Sequence, residues 1–137
     1  MRYRVLACDY DGTTAADGRV SPRTVAALQR LLATGRKLIL VTGRELPELL
    51  AIFPEIALFE SVVAENGALL YRPSNRAEKL LAEPSPPAFV QLLETRGVAP
   101  LSVGRAIVAT WQPHEQAVFD TIRDLGLELQ VIFNKGP

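Results

Sequence analysis

Val5-Leu6-Ala7-Cys8-Asp9-Tyr10-Asp11-Gly12-Thr13 is the stretch on which the fold turns. Four apolar residues, too few for a helix of their own, end in two acids, a glycine and a threonine. Such a run reads as a strand buried on both faces, as in a parallel sheet. Open parallel sheets bind their ligands beyond the carboxyl ends of their strands, which is where these acids fall. Side chains two apart on a strand point the same way, so Asp9 and Asp11 are expected to face one small volume. Two carboxylates that close repel, and a proton or a cation must hold them together. Mg²⁺ is the usual solution, because it prefers oxygen ligands. Gly12 lets the backbone turn without a Cβ clash, and Thr13 offers a hydroxyl and a backbone N–H to an anion.

The next elements repeat the design. After a small polar loop with Asp17-Gly18 as its turn, a flap candidate beside Asp11, Ser21-Pro22 starts a helix: Ser is a favoured N-cap and Pro a favoured first residue. Val25, Leu28, Leu31 and Leu32 share one helical face, and Gly35 is placed to end it. Lys37-Leu38-Ile39-Leu40-Val41 is a second buried strand, ending in Thr42-Gly43-Arg44. A strand–helix–parallel strand unit crosses over right-handedly in nearly all cases, so Thr42 should lie beside the acidic turn with a hydroxyl to offer a phosphate oxygen. A short helix over Glu45–Phe53 follows. Ser61–Ala64 reads as a third strand, and Glu65-Asn66-Gly67 as a hairpin turn returning through Ala68–Tyr71. Asn66 serves that turn and is also a candidate for the pocket.

Arg72 to Pro87 carries four prolines and reads as a linker or irregular crossing, which puts a domain boundary near Pro73. Beyond it, Ala88–Arg96 and His114–Leu125 read as helices and Arg105–Trp111 as a strand. Leu127, Leu129, Val131 and Phe133 alternate partly with polar residues, as in a sheet covered on one face. The expected architecture is therefore α/β for residues 1–72, followed by a small α+β segment over 73–137. Trp111 reads as a packing residue, Cys8 as an inert residue of a buried strand, and Asp120 and Asp124 as a solvated helix face.

Composition narrows the function. The chain has 137 residues, 48% of them hydrophobic and 22% charged, so a packed core is expected and disorder is not. Fifteen basic residues balance fifteen acidic ones with no basic run, which argues against nucleic-acid binding. The single cysteine excludes an internal disulfide and a zinc cluster. No apolar run approaches the roughly 20 residues of a membrane span, and the apolar run after Met1-Arg2-Tyr3-Arg4 is too short for a signal peptide. A cytoplasmic protein with no membrane partner is the expectation.

Asp9-Tyr10-Asp11-Gly12-Thr13 followed by Val41-Thr42-Gly43-Arg44 resembles the haloacid dehalogenase superfamily of phosphohydrolases. Glu65-Asn66-Gly67-Ala68 and the α+β portion after it resemble the Cof-type, sugar-phosphatase-like branch, in which an α/β cap follows the third core strand. The resemblance implies a partial Rossmann-like parallel sheet with a cap segment, and a phosphomonoesterase acting on a small phosphorylated metabolite. It implies Asp9 as nucleophile, Asp11 as acid and then base, and Mg²⁺ held by the Asp9 side chain and the Asp11 backbone carbonyl. Thr13, Thr42, Gly43, Arg44 and Asn66 are its candidate phosphate- and substrate-binding residues.

The chain also departs from that pattern. The family uses a later lysine and a Gly-Asp segment with a further acid, and no Gly-Asp pair occurs in this sequence. Lys135, in Asn134-Lys135-Gly136, falls where relatives of this branch pass from cap to core, so it is not assigned the lysine's role. The expectation is the amino-terminal half of a longer enzyme, with weak Mg²⁺ binding, little turnover, and a first strand left as an exposed edge that self-associates or takes a partner. A phosphate- and metal-binding module without catalysis is the competing reading. A receiver-like domain fits poorly, because there the acid pair and the phosphoacceptor Asp lie on different strands.

Overall fold

The fold is that of a computed structural model, which describes residues 2–134; Met1 and Lys135 lie outside the described residues. The chain divides into two units, Met1–Glu83 and Pro84–Pro137. The boundary expected near Pro73 falls after Glu83 instead. The reason is a strand the sequence reading took for linker.

The first unit holds a five-stranded sheet in the order β1 (Val5–Asp9), β2 (Lys37–Val41), β3 (Ser61–Ala64), β4 (Leu69–Arg72), β5 (Ala77–Leu80). β1, β2 and β3 are parallel; β4 and β5 return antiparallel. Helix α1 (Pro22–Ala33) makes the crossover between β1 and β2. Its start is set locally: the Ser21 hydroxyl accepts the Thr24 backbone N–H at 3.2 Å. Its end comes at Gly35, whose φ of 82° is a conformation L side chains rarely adopt. Helix α2 (Leu46–Ile52) and a 3₁₀ turn (Pro54–Leu58) join β2 to β3. β5 was missed because Ala-Glu-Lys-Leu has no buried position and no β-rich composition; its pairing with β4 makes it a strand.

The core lies on one side of this sheet. Leu38, Leu40, Val62, Ala64, Leu69 and Tyr71 alternate along β2, β3 and β4 to meet Leu28 of α1, Leu46 and Leu49 of α2, and Phe53, Ile56 and Phe59. The expectation of strands buried on both faces is therefore corrected. Val41 is 39% exposed, and the edge strand β1 leaves Val5 at 48% and Leu6 at 42%. A strand with a neighbour on one side only and helices over one face cannot lose its remaining surface to solvent exclusion. Cys8 is half-buried in the same strand.

The second unit packs α3 (Pro87–Thr95) and α4 (Glu115–Asp124) with a two-stranded antiparallel ribbon, β6 (Leu101–Val103) and β7 (Val108–Thr110). Phe89, Leu93 and Val98 form its buried centre. The strand expected over Leu127–Phe133 is absent. Leu127, Leu129 and Val131 are half-buried and the residues between them exposed, so the alternation is present in the packing. That segment has no ladder partner among the described residues, which is why it is not a strand. Trp111 is 55% exposed and is not a core residue. Asp120 and Asp124 both meet Arg123, and Asp124 also pairs with Arg96 at 2.6 Å.

Candidate functional site

β1 ends at Asp9, and parallel pairing places Asp9 opposite Val41 at the end of β2. The Tyr10 N–H donates to the Val41 carbonyl at 3.1 Å, carrying the register one residue further. Thr42 N–H in turn donates to Val63 O at 2.9 Å. The acidic turn, the Thr42-Gly43-Arg44 turn and the end of β3 thus share one edge of the sheet, as the crossover argument expected.

Asp9 is exposed. One of its carboxylate oxygens accepts the Tyr10 N–H at 2.8 Å, which leaves the other uncommitted by that bond. Its carbonyl is held by the Thr14 hydroxyl at 2.6 Å and the Thr14 N–H at 3.2 Å. Thr14 is buried, whereas Thr13, the threonine chosen from the sequence, is exposed. Thr14 thus anchors the strand tip, and Thr13 stays on the exposed turn. Gly12 has φ 74°, so its role in the turn is the one expected, and open space around it shows that backbone conformation, not crowding, demands the glycine.

Asp11 lies past the strand end, in a bridge to Ala15. Both its oxygens are engaged by Arg44, Nε at 2.8 Å and Nη2 at 2.9 Å. The third guanidinium nitrogen, Nη1, bonds Glu48 of α2. The same guanidinium stands 5.9 Å from the centre of the Tyr10 ring. Tyr10 is fully buried against Phe53, and its hydroxyl donates to Gly18 O at 2.9 Å. The Asp17-Gly18 turn, closed by reciprocal Ala16–Arg19 backbone bonds, is thereby held beside Arg44. Burial pushes the Tyr10 phenol up, and the Arg44 guanidinium partly opposes it. The hydrogen bond to Asp11 raises Arg44 further still.

Thr42 is buried, and its hydroxyl accepts the Arg44 backbone N–H at 3.1 Å. A hydroxyl that accepts still has its own proton to give. Across the site, Glu65 N–H donates to Arg44 O and Asn66 N–H to Thr42 O. Glu65 and Asn66 have φ of 52° and 55°, left-handed values uncommon for residues other than glycine. Asn66 Oδ1 lies 2.8 Å from where a Cβ on Gly43 would stand. So Gly43 is the residue that lets the Asn66 amide close on the Thr42 turn. The hairpin signal at Asn66-Gly67 is borne out by β4, and Asn66 does reach the other turns. Tyr10, Thr14, Glu48 and Glu65 are participants that motif reading did not single out.

The donor set bears on a metal. Asp9 and Asp11 provide oxygen only, which suits Mg²⁺, an ion held by one or two carboxylates with waters and substrate phosphate oxygens completing its shell. Among the described residues no group of three or more His, Cys, Asp or Glu is placed to hold a metal. An Asp9 oxygen and the Asp11 backbone carbonyl are donors of the kind a partly hydrated Mg²⁺ takes, and among the described residues they are not part of an all-protein cage.

Acids at and just beyond the tip of one parallel strand, with a Thr-Gly-Arg turn at the tip of the next, make this an α/β unit of the class the motifs resemble. Family comparison makes it specific: the chain belongs to the haloacid dehalogenase-like hydrolase family, whose sequence model matches residues 6–100. It is 31% identical over 96 residues to 5-amino-6-(5-phospho-D-ribitylamino)uracil phosphatase YbjI of Escherichia coli (strain K12), covering 69% of this chain and 35% of the relative. It is 33% identical over 114 residues to phosphoglycolate phosphatase of Halorubrum lacusprofundi, covering 82% and 48%. Its fold matches that of a haloacid dehalogenase subclass IIB sugar phosphatase with TM-score 0.52 and 22% identity, over 93% of this chain and 51% of the other. The chain thus spans about half or less of the length of these relatives.

Proposed function

We propose that this chain carries the nucleophile half of a Mg²⁺-dependent phosphomonoesterase acting on a small phosphorylated metabolite. The observation that supports it most is the placement of Asp9 at the strand tip, exposed, with one oxygen fixed by the Tyr10 N–H. Both curated relatives are named as phosphatases of small phosphorylated compounds, which supports the substrate class and extends to a sugar phosphate.

The uncommitted Asp9 oxygen attacks phosphorus, forming an aspartyl phosphate as the bond to the leaving oxygen breaks. Asp11 gives that oxygen a proton and later takes one from the attacking water, which releases inorganic phosphate and restores Asp9. The Thr42 hydroxyl donates to a phosphoryl oxygen, and the Thr13 hydroxyl, on the exposed turn, is a second candidate donor. Thr14 and Tyr10 hold the strand tip so that Asp9 does not reorient between steps. The Asp9 side chain and the Asp11 backbone carbonyl would hold Mg²⁺, which would supply charge neutralisation at the phosphoryl oxygens.

A second reading rests on the donor set and on the sequence: two acids, no third metal-ligating residue beside them among the described residues, and no Gly-Asp pair. Under that reading the pocket binds phosphate and metal without turnover. Acid-quenched mass spectrometry after incubation with p-nitrophenyl phosphate and Mg²⁺ separates the two. The proposal expects one phosphoryl group on Asp9, absent without Mg²⁺ and absent in Asp9→Asn. No adduct, or an adduct that survives Asp9→Asn, contradicts it.

A further inference from the structure

Arg44 was expected among the phosphate ligands, and its surroundings argue for a different duty. Its Nε and Nη2 grip both oxygens of Asp11, and its Nη1 is held by Glu48 in the first turn of α2. All three guanidinium nitrogens therefore have carboxylate partners. One positive charge stands between two negative ones, so the cluster presents a net negative charge to an incoming phosphate dianion. A guanidinium meant for phosphate keeps its fork open toward the ligand; this fork is closed on Asp11.

The rest of the geometry fixes the guanidinium in place. Its plane stands by the buried Tyr10 ring at 5.9 Å, and Nη2 lies 3.6 Å from where a Gly18 Cβ would be. Its backbone N–H is held by Thr42 and its carbonyl by Glu65 N–H. The Arg44 side chain is 25% exposed, against 47% for Asp11 and 54% for Glu48. Ion pairs this open to water add little to stability, so the arrangement is poorly explained as a source of it. What a bidentate fork supplies is direction. A carboxylate has about four lone-pair sites, and the fork takes two of them, leaving the others aimed away from Arg44.

We propose that Arg44 is a positioning residue that orients the Asp11 carboxylate, and that Glu48 is the buttress that keeps Arg44 turned toward Asp11. The proposal rests on the phosphohydrolase reading only for what Asp11 then does; the clamp itself is a claim about three side chains. Glu48 has no part in the motifs; it lies in the first turn of α2, which begins two residues after Arg44 across the extended N-cap Glu45.

The test is the exchange of the Arg44 Nε–H with solvent, followed by ¹⁵N NMR in this chain, with exposed Arg23 and Arg30 as references. The clamp predicts a protected Arg44 Nε–H that loses protection about tenfold in Asp11→Asn and in Glu48→Gln, as expected when one charge-assisted partner is weakened. Glu48→Asp, shorter by one methylene, also shows the loss. Inorganic phosphate with Mg²⁺, added to saturation, leaves the resonance in place. Unchanged backbone amide shifts across α1 show that each variant is folded. An Arg44 Nε–H that exchanges as fast as those of Arg23 and Arg30, that ignores Glu48→Gln, or that moves with phosphate overturns the proposal. None of these readouts requires turnover, so loss of the Asp9 adduct and loss of the clamp are separate results.

Discussion

Gly43 shows how single residues set this site. A Cβ there would meet Asn66 Oδ1 at 2.8 Å and Asn66 Cγ at 3.5 Å, and the atoms in the way are the end of a movable side chain. Gly43→Ala should therefore cost little stability, on the order of 1 kcal/mol or less, while driving the Asn66 amide off the Thr42 turn. The expected outcome is a near-unchanged melting temperature with a large shift of the Asn66 side-chain amide resonances; a melting temperature that collapses with those resonances unmoved contradicts it. The motif positions were legible because acids, glycine and hydroxyls at a strand tip have few uses. The partners of Arg44 were not. Asp11 is 33 residues away in sequence, and a fork onto a carboxylate looks the same in sequence as a fork onto phosphate. The anchoring by Thr14 was hidden for a similar reason: only the fold decides which hydroxyl turns inward.

Elements whose signals were local were read correctly. Ser21 and Gly35 bracket α1 to within a residue or two, and β2 and the β3–β4 hairpin follow from apolar runs bounded by turn residues. Elements defined by a neighbour were misread in both directions. Ala77–Leu80 became a strand because β4 supplied a ladder, and Leu127–Phe133 did not because nothing among the described residues did. The packing of α3 on α4 also rests on a pair that sequence does not show. Arg96 bonds the buried Thr121 hydroxyl at 2.8 Å and Asp124 at 2.6 Å. The hydrogen bond from Arg96 holds the Asp124 carboxyl below the usual aspartate range, with Arg123 adding to it. A carboxyl with a lowered folded pKa contributes stability that is present above its unfolded value, near 4, and is lost as pH falls through the folded one. Acid titration of the folded chain should therefore show a loss of stability beginning below about pH 4 that is reduced in Asp124→Asn. Identical acid limbs for the two proteins would contradict the assignment.

At the scale of the whole molecule, the open question is what covers β1. It is an edge of the sheet, it carries the proposed nucleophile at its tip, and it exposes Val5 and Leu6. Unpaired apolar edges are templates for further pairing. We propose that this chain self-associates through β1, and that a charge at the edge prevents it. Sedimentation at micromolar concentration should show species larger than a monomer, and Leu6→Lys should shift the distribution toward the monomer. A clean monomer for the unaltered chain would be the contrary result. Catalysis is a less direct readout: the chain spans 35% and 48% of its curated relatives, and no group of three or more acids, histidines or cysteines is placed to hold a metal among the described residues. Binding of a phosphoryl mimic is thus a more direct probe than turnover. ¹⁹F NMR of beryllofluoride with Mg²⁺ reads whether the Asp9 carboxylate accepts a tetrahedral phosphoryl-like group: the account predicts a bound signal that requires Mg²⁺ and vanishes in Asp9→Asn, and a missing signal, or one that persists in Asp9→Asn, contradicts it.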